Sequence, residues 1–234
     1  MAAHQIVSTQ DWTAARLKLL EKEKAFTRAR DELSAARRTL PWEKVGKNYV
    51  FEGADGSVTL ADLFRGKSQL IVYHFMFGPD WEAGCKSCTF WGDNFERNVI
   101  HLNARDTNLV LISRGPIGKL LAYRKRMGWS IEWVSSVGNS FNQDFAVSFP
   151  TEASREGSNY NFGTIRFDGE EAPGLSVFAT DDGAIFHTYS TYARGLDMLN
   201  SAYQLLDLVP KGRAEQGLEF SMQWLRRRDE YKQA

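Results

Sequence analysis

The chain holds two cysteines, Cys85 and Cys88, with Lys86 and Ser87 between them. They follow an apolar run over residues 70–77 that breaks at Gly78-Pro79 and gives way to a helix-like segment. So close a pair cannot staple distant parts of a fold as the disulfides of small secreted domains do. Closing a four-residue ring stabilises a fold by only about 2 kcal/mol, so a purely structural bridge explains little. The position explains more. With Cys85 at a helix N-cap and Cys88 in the first turn, the sulfurs come within bonding reach, which is hard to achieve in mid-helix, where side chains three apart stand about 5–6 Å from each other.

The reactive form of such a pair is the thiolate, and lowering a thiol pKa from about 8.5 to about 7 takes roughly 2 kcal/mol. A helix terminus usually contributes about 0.3–1 kcal/mol. First-turn N–H groups and the positive charge of Lys86 are the expected sources of the remainder. The pattern predicts Cys85 as the attacking thiolate and Cys88 as the resolving thiol. Competing uses of the pair are weaker. Structural zinc needs four ligands, and although His101 follows Cys88 at finger-like distance, Arg105, Asp106 and Thr107 stand where a second histidine belongs. Attachment of a c-type haem asks for histidine after Cys88, where Thr89 stands. Two inert core cysteines form the remaining alternative. No metal and no cofactor is expected.

With 29 basic and 29 acidic side chains and 43% hydrophobic residues, the chain has neither the basic excess of a general nucleic-acid binder nor a disordered composition. The opening MAAHQIVSTQDW lacks a charged-then-apolar leader pattern, and no apolar run approaches the roughly 18 residues a membrane span needs. A cytoplasmic protein without membrane or nucleic-acid partners is expected.

Residues 8–38 read as one long helix, with Ser8 as N-cap and Trp12, Leu19, Phe26, Leu33 and Leu40 recurring every seven residues. At 1.5 Å per residue it spans roughly 45 Å, long enough either to pack on a second copy of the chain as a homodimer or to lie across its own domain. A hairpin over 49–60 follows, then the strand at 70–77, a helix from Cys85 to about 104, a strand at 108–113, a helix at 117–127 opened by Pro116, and a strand at 132–135. This rhythm predicts an α/β fold with a parallel sheet. Residues 138–173, rich in Gly, Asn and Ser, read as an insertion of the kind that forms lids or partner surfaces. A hairpin at 175–189, a helix at 196–209 and a final helix at 218–231 complete the chain, with Arg226-Arg227-Arg228 read as a solvated face. The expected organisation is a helical extension over 1–45, a core domain over 46–212 and a C-terminal helix over 213–234.

The segments YHFMFGPDWEAGCKSCTFWGDNF, PGLSVF and GAIFHTYSTYARGLDMLNSAYQLLDLVPKGR, with LPW, YVFEG and TLADLF before them, resemble a bacterial thioredoxin-superfamily group catalogued as a domain of unknown function. Its members are predicted to be dithiol-disulfide oxidoreductases. The resemblance covers nearly the whole chain. It implies a thioredoxin-like three-layer α/β/α sandwich with a mixed sheet, the long helix in front and the insertion before a cis-proline hairpin. Pro173 occupies the cis-proline position, so a cis Ala172-Pro173 bond is expected, with the Ala172 backbone free to pair with a substrate strand. Trp81 takes a docking role, although it lies four residues before Cys85 rather than next to it. His74 falls roughly where thioredoxins bury an acid beneath the pair, and is either a proton acceptor for Cys88 or a hydrogen-bonded core histidine. His187 and Arg114 are candidates for the same cleft. The function expected is exchange with a thiol or disulfide substrate, protein or small molecule, and an unspecified electron donor. A partner-binding protein on the same frame and a thiol peroxidase are the alternatives, the latter opposed by the lack of Thr or Ser between Pro79 and Cys85.

Overall fold

The computed structural model describes residues 4–232. They divide into two compact units at Pro41/Trp42. In the first unit α1 (Thr9–Arg38) begins as its sequence requires, with Ser8 Oγ accepting the Asp11 N–H at 3.2 Å. None of its residues is buried, and Trp12, Leu19, Phe26 and Leu33 are between 50% and 69% exposed.

The second unit is built on one sheet. In chain order its elements are β1 (Glu43–Lys44), β2 (Val50–Gly53), β3 (Gly56–Thr59), a 3-10 turn Asp62–Phe64, β4 (Gln69–His74), α2 (Lys86–Glu96), α3 (Val99–Asn103), β5 (Thr107–Ser113), α4 (Ile117–Met127) and β6 (Glu132–Ser135). After these come α5 (Phe141–Asp144), α6 (Glu152–Glu156), α7 (Tyr160–Gly163), β7 (Gly174–Asp181), β8 (Ala184–Tyr192), a 3-10 segment Ala193–Leu199, α8 (Ser201–Leu206) and a last 3-10 turn Arg228–Glu230. The strand order is β1-β8-β7-β4-β5-β6-β2-β3. β4, β5 and β6 run parallel, while β7 lies antiparallel on β4 and β8 antiparallel on β7. A β4-α2-β5 crossover beside an antiparallel β7-β8 hairpin, followed by a helical segment, is the thioredoxin-like core, with β6 and the β2-β3 hairpin added at one edge.

Because side chains alternate along a strand, β4 divides between two cores. Tyr73 joins Leu109 and Leu111 beneath α2, α4 and α8, whereas Leu70 and Val72 join Val110, Ile112, Phe64 and Phe141 on the other face. The helical cover is unequal: the second face has only the short α5 and the Asp62–Phe64 turn. A third, smaller cluster of Val147, Phe149, Tyr160, Ala172 and Tyr192 is the core of the insertion.

Several expectations are corrected. β1 belongs to the sheet, pairing with β8, rather than to the N-terminal extension. The helix after Cys85 breaks at Asn98 into α2 and α3. Residues 196–209 form a 3-10 segment and the short α8. The tail over 218–231 is not a helix, because tertiary bonds hold it in irregular turns: Arg227 donates to the Gly84 carbonyl, Arg228 to that of Met127, and Met222 sits at φ +71°. No described peptide bond is cis, so Ala172-Pro173 is trans. Ala172 N–H donates to Val147 O at 2.8 Å and Phe149 N–H to Glu170 O at 2.8 Å, so residues 170–172 run extended in a small antiparallel ribbon.

Candidate active site

The site starts from the end of β4. Beyond His74 the chain turns at Gly78, where an added Cβ would stand 2.8 Å from the Trp81 ring, and returns at Gly84, where one would stand 2.7 Å from Phe75. That close return places Cys85 at the N-cap of α2, as its spacing predicts. The Met76 peptide then links both cysteines. Its carbonyl accepts the Cys85 N–H at 3.1 Å, and its N–H donates to Cys88 Sγ at 3.4 Å. Thr89 Oγ1 donates to the Cys85 carbonyl at 2.8 Å and is itself paired with the Tyr123 hydroxyl at 2.8 Å, which holds the first turn in register. Arg227 grips the Gly84 carbonyl from outside at 3.0 and 3.2 Å.

The two sulfurs are free thiols in unequal surroundings. Cys85 is half-buried and Cys88 is 1% exposed. Hydrogen bonding lowers the Cys85 pKa to about 6. The Cys88 thiol is the largest cause, and the N–H groups of Cys88 and Ser87 and the Ser87 hydroxyl add to it against the effect of burial. A shift of that size exceeds the roughly 0.3–1 kcal/mol of a helix terminus. Bonds to a charged acceptor contribute about 1.5–3 kcal/mol each, enough to supply the rest. Lys86 is exposed. Cys88 is pushed up, chiefly by burial and then by its bond to Cys85, while the Tyr73 hydroxyl and the Met76 N–H act in the opposite direction.

The other expected site residues scatter. Pro173 reaches the pair, lining the same cavity as Cys88. Ala172 is 2% exposed and its N–H is committed to Val147, so it is not free to bind a substrate strand. His74 faces the opposite core, stacked on Phe145, with Nε2 2.9 Å from Ser176 Oγ. Burial pulls its pKa down to about 3. His187 joins it through Ser176 and Ser190, 2.7 Å from Ser190 Oγ, and opens on a separate pocket with Glu43 and Asp144. Arg114 is spent on an ion pair at 2.8 Å with the buried Glu171, itself bonded to Ser148. The Trp81 ring packs over Gly78 and its carbonyl accepts from Lys119 at 3.1 Å, outside the cavity.

Residues that sequence reasoning did not identify take their place. Tyr73 lies under Cys88. Its only signal was strand parity, which cannot be oriented until the face carrying α2 is known. Tyr160, Ile165 and Phe167 of the insertion form one wall of the cavity of about 320 Å³ that reaches Ser87 and Cys88. Ser221 and Met222 of the C-terminal segment form part of another. No group of three or more His, Cys, Asp or Glu side chains among the described residues is placed to hold a metal ion. No helix among them is long and apolar enough to cross a membrane.

The family described as "Bacterial protein of unknown function (DUF899)" matches residues 1–231. The chain belongs to this family. No curated protein matches it. Among solved structures it is similar to the peroxidoxin BcpB of Mycobacterium tuberculosis, at 11% identity over 71% of this chain and 97% of that one, with a TM-score of 0.48. Xylella fastidiosa PrxQ is 9% identical over 70% and 95% of the two chains, TM-score 0.44. A candidate protein disulfide isomerase of Bacteroides thetaiotaomicron is 18% identical over 76% and 95%, TM-score 0.41. The thioredoxin-like assignment rests on the strand order of the family member itself.

Proposed function

We propose that this family member is a thiol-disulfide oxidoreductase in which Cys85 attacks and Cys88 resolves. One observation carries the reading: Cys85 Sγ sits at the N-terminus of α2, where the Cys88 thiol, the N–H groups of Ser87 and Cys88 and the Ser87 hydroxyl all stabilise its thiolate, while Cys88 is kept protonated by burial. The asymmetry supports this division of roles. The thiol ionised at neutral pH and nearer the surface reacts first, and the buried one acts only after a mixed disulfide has formed.

In the forward direction the Cys85 thiolate breaks a substrate disulfide and one substrate thiol leaves. Cys88 then loses its proton and attacks Cys85 Sγ, releasing the second thiol as the Cys85–Cys88 bond forms. Two electrons pass to the substrate, and an external dithiol returns them. Cys88→Ser should accumulate the mixed disulfide on Cys85, and Cys85→Ser should abolish dithiol-dependent disulfide reduction. Unchanged turnover in Cys85→Ser would remove the claim. An alkylation midpoint for Cys85 at or above about 8.5, the ordinary thiol value, with no redox couple between the sulfurs, would favour a partner-binding protein instead.

A further inference from the structure

The cavity that reaches Ser87 and Cys88 has mainly apolar walls, interrupted by Arg194, Asp197, Arg213, Glu215 and Ser221. Trp91, Tyr160, Phe167, Leu196, Tyr203 and Met222 enclose about 320 Å³, near the small end of the range of ligand pockets. Most of the polar groups in the lining are already engaged. Tyr160 donates to Pro173 O and accepts from the Ala193 N–H, both at 2.9 Å. Tyr73 is bonded to Cys88. Glu215 Oε1 accepts the Tyr203 hydroxyl, the Met222 N–H and the Trp224 indole at 2.9–3.0 Å. Arg213 is held by Asp197 and Asp207 at 2.8 Å and lies 3.9 Å above the Tyr203 ring, and Arg194 pairs with Asp197 at 3.0 Å. The charges in the lining balance, Arg194 and Arg213 against Asp197 and Glu215, so an ionised ligand would lose water without meeting a net countercharge. A peptide would meet a second obstacle, since the Ala172 N–H that could extend a strand is donated to Val147.

We infer that the substrate of the Cys85–Cys88 pair is a small, neutral, aromatic or apolar disulfide whose organic group occupies this cavity, rather than a protein or a charged thiol such as glutathione. The inference rests on the oxidoreductase reading above and narrows it. The insertion is then the selecting element, because Tyr160, Ile165 and Phe167 come from it. Cys85 attacks one sulfur of the bound disulfide and the first aromatic thiolate leaves. Cys88, its proton released to solvent, displaces the second from Cys85, so that two electrons reduce one disulfide to two thiols and the protein dithiol becomes the Cys85–Cys88 disulfide.

The test uses the full reduced chain with three probes: dipyridyl disulfide, glutathione disulfide and insulin. The rate of Cys85–Cys88 bond formation is followed by mass spectrometry, and each rate is divided by the rate of the same probe with dithiothreitol, which cancels intrinsic reactivity. Dipyridyl disulfide should lead the other two by tenfold or more. Ile165→Glu, which places a charge at the half-exposed mouth, should remove most of that lead. Ile165→Trp, which fills the mouth without a charge, should do the same and covers the case of a misfolded Glu variant. Equal normalised rates, a lead for glutathione disulfide or insulin, or a lead that both folded variants leave intact would overturn the substrate class while the redox reading stands. Failure of all three probes to oxidise the pair would overturn the redox reading itself.

Discussion

Tyr73 and His74 are neighbours on β4 and serve opposite faces, so substitutions at the two should separate cleanly. Tyr73→Phe removes the hydroxyl that stabilises ionised Cys88. A bond to a charged sulfur contributes about 1.5–3 kcal/mol, so release of the mixed disulfide should slow by roughly tenfold or more while attack by Cys85 keeps its rate. Stopped-flow measurement of the two steps checks this. His74 should not affect thiol chemistry but should mark acid stability. Its folded pKa is depressed from 6.5 to about 3, so the unfolded chain binds the proton first as pH falls. The stability it contributes is complete above about 6.5 and is lost as pH falls toward 3. In His74→Leu the denaturation midpoint should depend less on pH across that window, and the pH midpoint for Cys85 alkylation should stay near 6. A moved alkylation midpoint would restore His74 to the site. The histidine was legible as a polar interruption of an apolar strand, but its face was not: a strand buried on both sides shows no polar-apolar alternation that assigns one parity to α2.

At the scale of elements, the start of α2 was legible because its determinants are local. A strand stopped by Gly78-Pro79 and a thiol pair at N-cap spacing need no distant information. What holds that start from outside was not. Arg227 lies in a run of three arginines that reads as solvated, yet its guanidinium donates twice to the Gly84 carbonyl and pairs with Glu230 at 2.9 Å. Arg227→Ala should therefore loosen the turn before Cys85. Amide exchange over residues 79–85 should accelerate by an order of magnitude or more, as expected when a charge-assisted bond of about 1.5–3 kcal/mol is lost. Arg226→Ala, whose partners are carbonyls of its own segment, should leave that exchange unchanged. Equal exchange in the two variants would reduce the tail to a passive cover.

On the scale of the whole molecule, the unit before Trp42 presents an apolar row that its own helix cannot bury. An isolated helix is marginal in water even at favourable lengths, and most helical stability comes from a packed face. The full chain is expected to sediment as a dimer, and a chain starting at Trp42 as a monomer that still forms the Cys85–Cys88 disulfide. A monomeric full chain would exclude self-association through α1. Sequence alone determined what depends on near neighbours along the chain: the Ser8 cap, the Pro116 start of α4, the parallel β-α rhythm and the placing of the cysteine pair at the start of α2. The Asp182-Gly183 turn is of the same kind, with both residues at the positive φ a tight hairpin uses. Tertiary structure alone decided that Ala172 is occupied, that Pro173 is trans, that His74 and His187 belong to the far face, and that the insertion and tail close around the cysteines. The physical reason is range. Caps, turns and periodicity are set by sterics within a few residues, whereas parity, ribbon pairing and the Arg227 contact depend on which surfaces stack, and Arg227 and Gly84, 143 positions apart, meet only after they do.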